Sequence, residues 1–186
     1  EQWTGAKGDF DGDLFWHVRH VIIGSMRNWS RTALEWNLAN GPNYDPHTPG
    51  GCTECKGALT IDQDRITRNV SYYIIAHAAK FVVPGSVRIG SQGPDDLPQV
   101  AFMTPQGRQV VILLNEGKSE RKLTIQSGDL QATILMPAGA VGTLCAILLA
   151  LARRSLARRT MRDILTETGI VTAAISFLIV AAHLYA

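Results

Sequence analysis

The sequence predicts two folded parts of different class: the end of an α/β unit over residues 1–84, and an antiparallel β-domain over 85–143. An apolar, basic helical tail over 144–186, a candidate transmembrane anchor, follows them. Three observations carry this. Helical periodicity alternates with short apolar runs only before Pro84-Gly85. Beyond that point, short strand-like runs recur between turn residues, a change of pattern that marks a domain boundary. Finally, two uncharged stretches, 138–152 and 169–186, flank Arg153-Arg154-Ser155-Leu156-Ala157-Arg158-Arg159.

From the start of the chain, Leu14, Val18, Val21, Ile22 and Trp29 recur at helical spacing. Asp9, Asp11 and Asp13 stand at the N-terminal end, where negative charge suits the helix dipole, so a helix is expected over about residues 12–27. The segment 32–38 is short and apolar and stops at Asn40-Gly41-Pro42, which suits a buried strand. Residues 41–57 are dense in Gly and Pro and form a long loop. A short strand at Leu59–Ile61 comes next. Asn69 is placed to cap a second helix, Val70 to Phe81, with Tyr73, Ile74, His77 and Phe81 on its apolar face, and Pro84-Gly85 stops it. The β-domain then reads as strands at 86–89, 100–103, 110–114, 122–125 and 131–135. Thr104-Pro105-Gln106-Gly107 is a hairpin turn.

Net charge is only +2, and residues 137–186 carry five Arg against Asp163 and Glu167. The basic character thus belongs to the tail, and the body offers no footprint for nucleic acid. Positive residues between two apolar stretches fit one or two membrane helices with a cytoplasmic turn, an interfacial or non-native tail being the alternative. The second stretch is just long enough to span. The first reaches that length only by borrowing residues 132–137 from the β-domain.

Cys52 and Cys55 form one C-x-x-C in the loop. A structural zinc site needs four ligands, and only His47 is near in sequence, so no metal site is expected. Pro49-Gly50-Gly51 precedes the pair where a redox C-x-x-C would open a helix. Two readings stand: a local disulfide stapling the loop of an exported, extracellular or periplasmic protein, or two free thiols. His17, His20, His47 and His77 form no metal set, and Gly50-Gly51 lacks the helix start and Lys of a phosphate loop.

If Glu1 ends a strand of an α/β barrel, the helix and then a strand ending in Glu35-Trp36-Asn37 follow, and both strand ends face one pocket. A carboxylate, an indole and an amide are what sugar chemistry needs: a nucleophile, an apolar face for the ring and a partner for hydroxyls. Solvated Glu1 and core Trp36 are the plainer alternatives.

Glu1-Gln2-Trp3-Thr4-Gly5, Arg27-Asn28-Trp29-Ser30 and Glu35-Trp36-Asn37-Leu38-Ala39 are similar to glycoside hydrolase family 30, which contains glucosylceramidases and β-1,6-glucanases. The resemblance continues, in order, through Pro46-His47-Thr48-Pro49-Gly50-Gly51-Cys52, the helix 72–81, Pro84-Gly85-Ser86-Val87-Arg88-Ile89 and Pro137-Ala138-Gly139-Ala140-Val141, covering about 1–143. It implies the last strands and helices of a (β/α)8 barrel followed by a β-sandwich. It also implies hydrolysis of β-glucosides, a carbohydrate or glycolipid substrate, and no cofactor. By position Glu1 matches the family's nucleophile at the end of the seventh strand. Trp36 and Asn37 match eighth-strand residues lining the glucose site, and Trp3 would line its rim. Glu35 beside them either contacts sugar or is a buried carboxylate paired with an Arg.

Two departures follow. The family's acid/base Glu, in an Asn-Glu-Pro context on the fourth strand, is absent from these 186 residues, so Glu1 alone is expected to be idle. Past Leu144 the sequence no longer resembles the family. The start at Glu1, with no initiator Met and no signal peptide, reads as that of a fragment or a processed chain. Faces such as Val21, Ile22, Leu34 and Ile74 are then expected to lack their covering units. The rival reading is a non-catalytic, membrane-anchored β-sandwich module that binds carbohydrate or protein, and a third is a small membrane protein defined by its tail.

Overall fold

The computed structural model describes residues 2–145, apart from the side chain of Leu130. Glu1 and the tail from residue 146 onward lie outside the described residues, and with them the expectation of a membrane anchor. Among the described residues no helix is long and apolar enough to cross a membrane.

The first strand, β1 (Thr4–Gly5), leads into α1 (Phe10–His17). Asp9 caps α1 by accepting a 2.7 Å hydrogen bond at Oδ2 from the Gly12 amide, so the helix starts at Phe10, two residues before the expected start. It continues as a π-helix over Val18–Gly24 and ends in a short α2 (Ser25–Arg27). The wider π turn puts Val18, Ile22 and Ile23 on one buried side. The elements β2 (Ala39–Asn40) and β3 (Cys55–Lys56) bracket the long loop, and β4 (Leu59–Asp62) and β5 (Arg65–Arg68) form a hairpin before α3 (Val70–Ala79). The second part holds β6 (Val87–Ile89), β7 (Gln99–Met103), β8 (Gln109–Leu114), β9 (Arg121–Ser127), β10 (Leu130–Met136) and β11 (Val141–Cys145).

Strands β11-β8-β7-β6 form an antiparallel sheet, and β9 and β10 pair as a separate two-stranded sheet. Register explains the unbroken apolar run at 110–114. Val100 opposes Ile112 and Phe102 opposes Val110, and these four join Leu114 in one core with Val18, Ile22, Ile23, Val70 and Ile74. On the reverse face, a Cβ at Gly142 would lie 3.5 Å from the Met136 side chain of β10 and 3.9 Å from Leu113. Strand β8 is therefore buried on both faces, which requires a continuous apolar sequence rather than an alternating one. The layers run helices, four-stranded sheet, two-stranded sheet. Asn115 ties them: its Nδ2 donates to the carbonyls of Ser119, Met136 and Pro137, and its Oδ1 accepts from the Gly117 amide.

Five expectations need correction. Residues 32–38 are not a buried strand. The segment makes one parallel bridge, Gln2 to Glu35, and Leu34 and Leu38 are 58% and 76% exposed, because among the described residues a neighbour lies on one side only. Asn69 stands at the N-cap without capping; its Nδ2 donates instead to the Gly57 carbonyl and Thr60 Oγ1, fixing the β3–β4 connection. Strand β5 was missed because its four residues are all exposed and polar residues dominate it. Ile22 and Ile74 do not lack cover: the four-stranded sheet supplies it. Leu144 and Cys145, expected in a helical tail, belong to β11 and pair with Val111 and Val110, so the apolar stretch from 138 enters a strand at Val141.

Candidate active site

The parallel bridge at Gln2 and Glu35 organises the candidate site. The Gln2 amide donates to the Leu34 carbonyl (3.0 Å) and the Trp36 amide to the Gln2 carbonyl (2.7 Å). Parallel segments run in the same direction, so Trp3 and Trp36-Asn37 emerge from the bridge at the same end. Both indoles are open to solvent, Trp3 at 47% and Trp36 at 40%. Glu1, the expected nucleophile, is the residue before this bridge and lies outside the described residues.

Around the bridge the chain is held by buried polar contacts. Thr4 Oγ1 and Ser71 Oγ lie 2.9 Å apart, tying β1 to α3. Asn40 Nδ2 donates to the Cys55 carbonyl (2.7 Å) and its Oδ1 accepts from the Gly57 amide (3.0 Å), so one buried amide clamps both ends of β3. Thr4 and Gly5 pair with Lys56 and Cys55, and Cys52 and Cys55 are joined by a disulfide, so the stapled loop sits against the Trp3 segment. Two glycines keep the site open. A Cβ at Gly57 would fall 2.3 Å from Asn37 Oδ1, and one at Gly5 would fall 2.9 Å from the Trp3 ring.

Glu35 is buried and paired, but with His17 rather than an Arg: His17 Nδ1 and Glu35 Oε1 are 2.8 Å apart, at 5% and 3% side-chain exposure. The other oxygen, Oε2, is buried without a hydrogen-bond partner among the described residues. The pair fastens α1 to the bridged segment that carries Trp36. Sequence reasoning set His17 aside with the other histidines, and no spacing rule relates residues 17 and 35. Asn40 and Thr4 were likewise missed, since polar residues that clamp a backbone leave no pattern in sequence. Among the described residues, no group of three or more His, Cys, Asp or Glu could hold a metal. Asn37 is exposed, with φ of 25°, and its carbonyl accepts from Ala58. Two exposed indoles and an amide can stack on sugar rings and bond hydroxyls; Glu35, being buried and paired, cannot reach one.

The chain is 29% identical over 133 residues to the endo-1,6-beta-D-glucanase neg1 of Aspergillus fumigatus, 67% of this chain and 26% of that protein. It is 31% identical over 113 residues to the lysosomal acid glucosylceramidase of Mus musculus, 60% of this chain and 22% of that one. The solved endo-beta1,6-glucanase BT3312 superimposes with a TM-score of 0.71 at 29% identity, covering 77% of this chain and 34% of the other. The relatives are glycoside hydrolases. More narrowly, residues 85–144 match the glycosyl hydrolase family 30 beta sandwich domain, and the chain is similar to the C-terminal portion of that family. It spans about a quarter of the length of these curated relatives, 26% and 22%.

Proposed function

We propose that these residues serve in a retaining β-glycosidase acting on β-glucosides, either a glucosylceramide-like glycolipid or a β-1,6-linked glucan. Glu1 acts as the nucleophile on the anomeric carbon, Trp36 and Trp3 carry the sugar rings, and Asn37 bonds a hydroxyl. The observation that carries the reading is the parallel bridge between Gln2 and Glu35, which sets both indoles at one end of the two bridged segments and directly follows Glu1 in sequence. In barrel enzymes that end is where chemistry is built. The barrel belongs to this proposal: the helix-then-strand order of residues 2–40 supports it.

Retaining hydrolysis requires a second carboxyl about 5–5.5 Å from the nucleophile to protonate the leaving oxygen. No Asn-Glu-Pro occurs in these 186 residues, and Glu35 is held by His17. The polypeptide by itself is therefore inactive. The disulfide supports an extracellular or periplasmic setting, since such bonds persist in oxidising compartments.

An aryl β-glucoside assay on the 186-residue chain is expected to show no turnover above buffer. Hydrolysis that disappears in Glu1→Gln would mean the chain holds a complete site and would overturn the assigned division of labour.

A further inference from the structure

The end of α2 carries an anomaly that neither the core nor the bridge site explains. The Ser30 amide donates to the Ser25 carbonyl (2.9 Å) and the Trp29 amide to the Met26 carbonyl (3.3 Å), the two bonds of a Schellman helix terminus. The residue just past the cap in that motif is left-handed, and Trp29 has φ of 69°. Gly is the usual occupant, because a side chain there crowds the backbone. Here the bulkiest side chain takes that place and remains 79% exposed, so folding gains neither relaxed backbone nor buried area in return. An observed strain of this kind is a pointer to function.

The surroundings say what the exposed indole meets. The Arg88 guanidinium of β6 lies over the ring, 4.0 Å from its centroid, and orients it. Arg88 also lines a groove of about 510 Å³, with Arg27, Gly90, Ser91, Gln92 and Gln126 as the other walls. No carboxylate is among them. Both guanidiniums are engaged, Arg88 with the Trp29 ring and Arg27 Nη1 with the Gln99 carbonyl (3.0 Å). What remains is an indole beside a polar groove of hydroxyl, amide and spare N–H groups. Apolar ring faces and hydroxyl edges complement that surface: a ring can lie on the indole while its hydroxyl oxygens accept from the N–H groups the two guanidiniums keep free.

We propose that Trp29, Arg88 and this groove form a carbohydrate-binding subsite for a hexose chain, holding a sugar ring on the indole and neighbouring hydroxyls in the groove. The subsite rests on geometry; the choice of a β-linked glucan as its occupant rests on the glycosidase reading above.

The four tryptophans, Trp3, Trp16, Trp29 and Trp36, give four indole N–H signals by NMR in the intact chain. Titration with a soluble β-1,6-linked gluco-oligosaccharide is expected to shift the Trp29 signal. Trp29→Gly should weaken binding at least about tenfold, a 1.4 kcal/mol change, while raising Tm because the left-handed position is relieved. Trp29→Tyr should retain most of the binding, and Trp36→Ala should leave the Trp29 shift intact. The proposal is overturned if the Trp29 signal does not move, if a sulfated oligosaccharide shifts it where the neutral one does not, or if Trp29→Gly binds as the parent does. Shifts confined to Trp3 and Trp36 would also overturn it while supporting the bridge site, so the two readings fail separately.

Discussion

The two halves of the described chain use apolar residues differently. In 85–145, Val100, Val110, Ile112, Leu113 and Leu114 are almost wholly buried, and one strand has a layer on each side. In 2–84 the residues facing the four-stranded sheet, Val18, Ile22, Ile23 and Ile74, are equally buried. The residues on other faces, Leu34, Leu38, Ile66 and the indoles of Trp3 and Trp36, are open. The first half is therefore not loosely folded as a whole. It is packed on the side that meets the four-stranded sheet and open on the side that carries the candidate site.

The largest way to break this comparison is in the shared core. Ile112→Ala and Ile74→Ala should each cost about 2–5 kcal/mol by urea denaturation, because both are fully buried in the same cluster. If Ile74→Ala costs under about 1 kcal/mol, the helices do not share the sandwich's core. Removing His17 comes next. His17→Ala leaves Glu35 buried without a partner and should cost about 3 kcal/mol, and a double-mutant cycle with Glu35→Gln should recover much of it.

How much of this was legible in sequence follows from the same contrast. The helix expected over about 12–27 and the strands β6 to β10 were readable because apolar periodicity and turn residues set them locally. The exposure of 32–38 was not, since an apolar run looks the same whether or not its neighbours are present. Nor could the sequence separate β11 from a membrane segment, because both are short runs without charge. At the site, the indoles and Asn37 were named from sequence, while the His17–Glu35 pair and the Asn40 clamp arise only from tertiary contact.

A pH measurement sharpens the seam between the halves. His77 Nδ1 lies 3.1 Å from Thr143 Oγ1, which donates to the His77 carbonyl, and burial pushes the imidazole below its usual 6.5. The folded state thus binds that proton less readily than the unfolded chain. Stability from this group is complete above 6.5 and is lost as pH falls below it. His77→Gln should flatten the fall in urea midpoint between about pH 7.5 and 5.5; an unchanged slope would place the titration elsewhere.

The smallest effects belong to the open face. Leu38→Ala should change stability by about 0.5 kcal/mol or less, since its side chain is 76% exposed. Hydrogen exchange should follow the same division, slow at 18–23, 70–78 and 99–114 and fast at 28–38. Uniform protection across 2–84 would erase the contrast.

The claim that this face belongs to a retaining glycosidase is tested most directly by covalent trapping. The 186 residues would be joined behind the preceding portion of a matched glucanase, treated with a fluoro-glucoside that arrests the glycosyl-enzyme, and mapped by peptide mass spectrometry. The label is predicted on Glu1 and absent in Glu1→Gln. A label on any other carboxylate of these 186 residues would contradict the assignment.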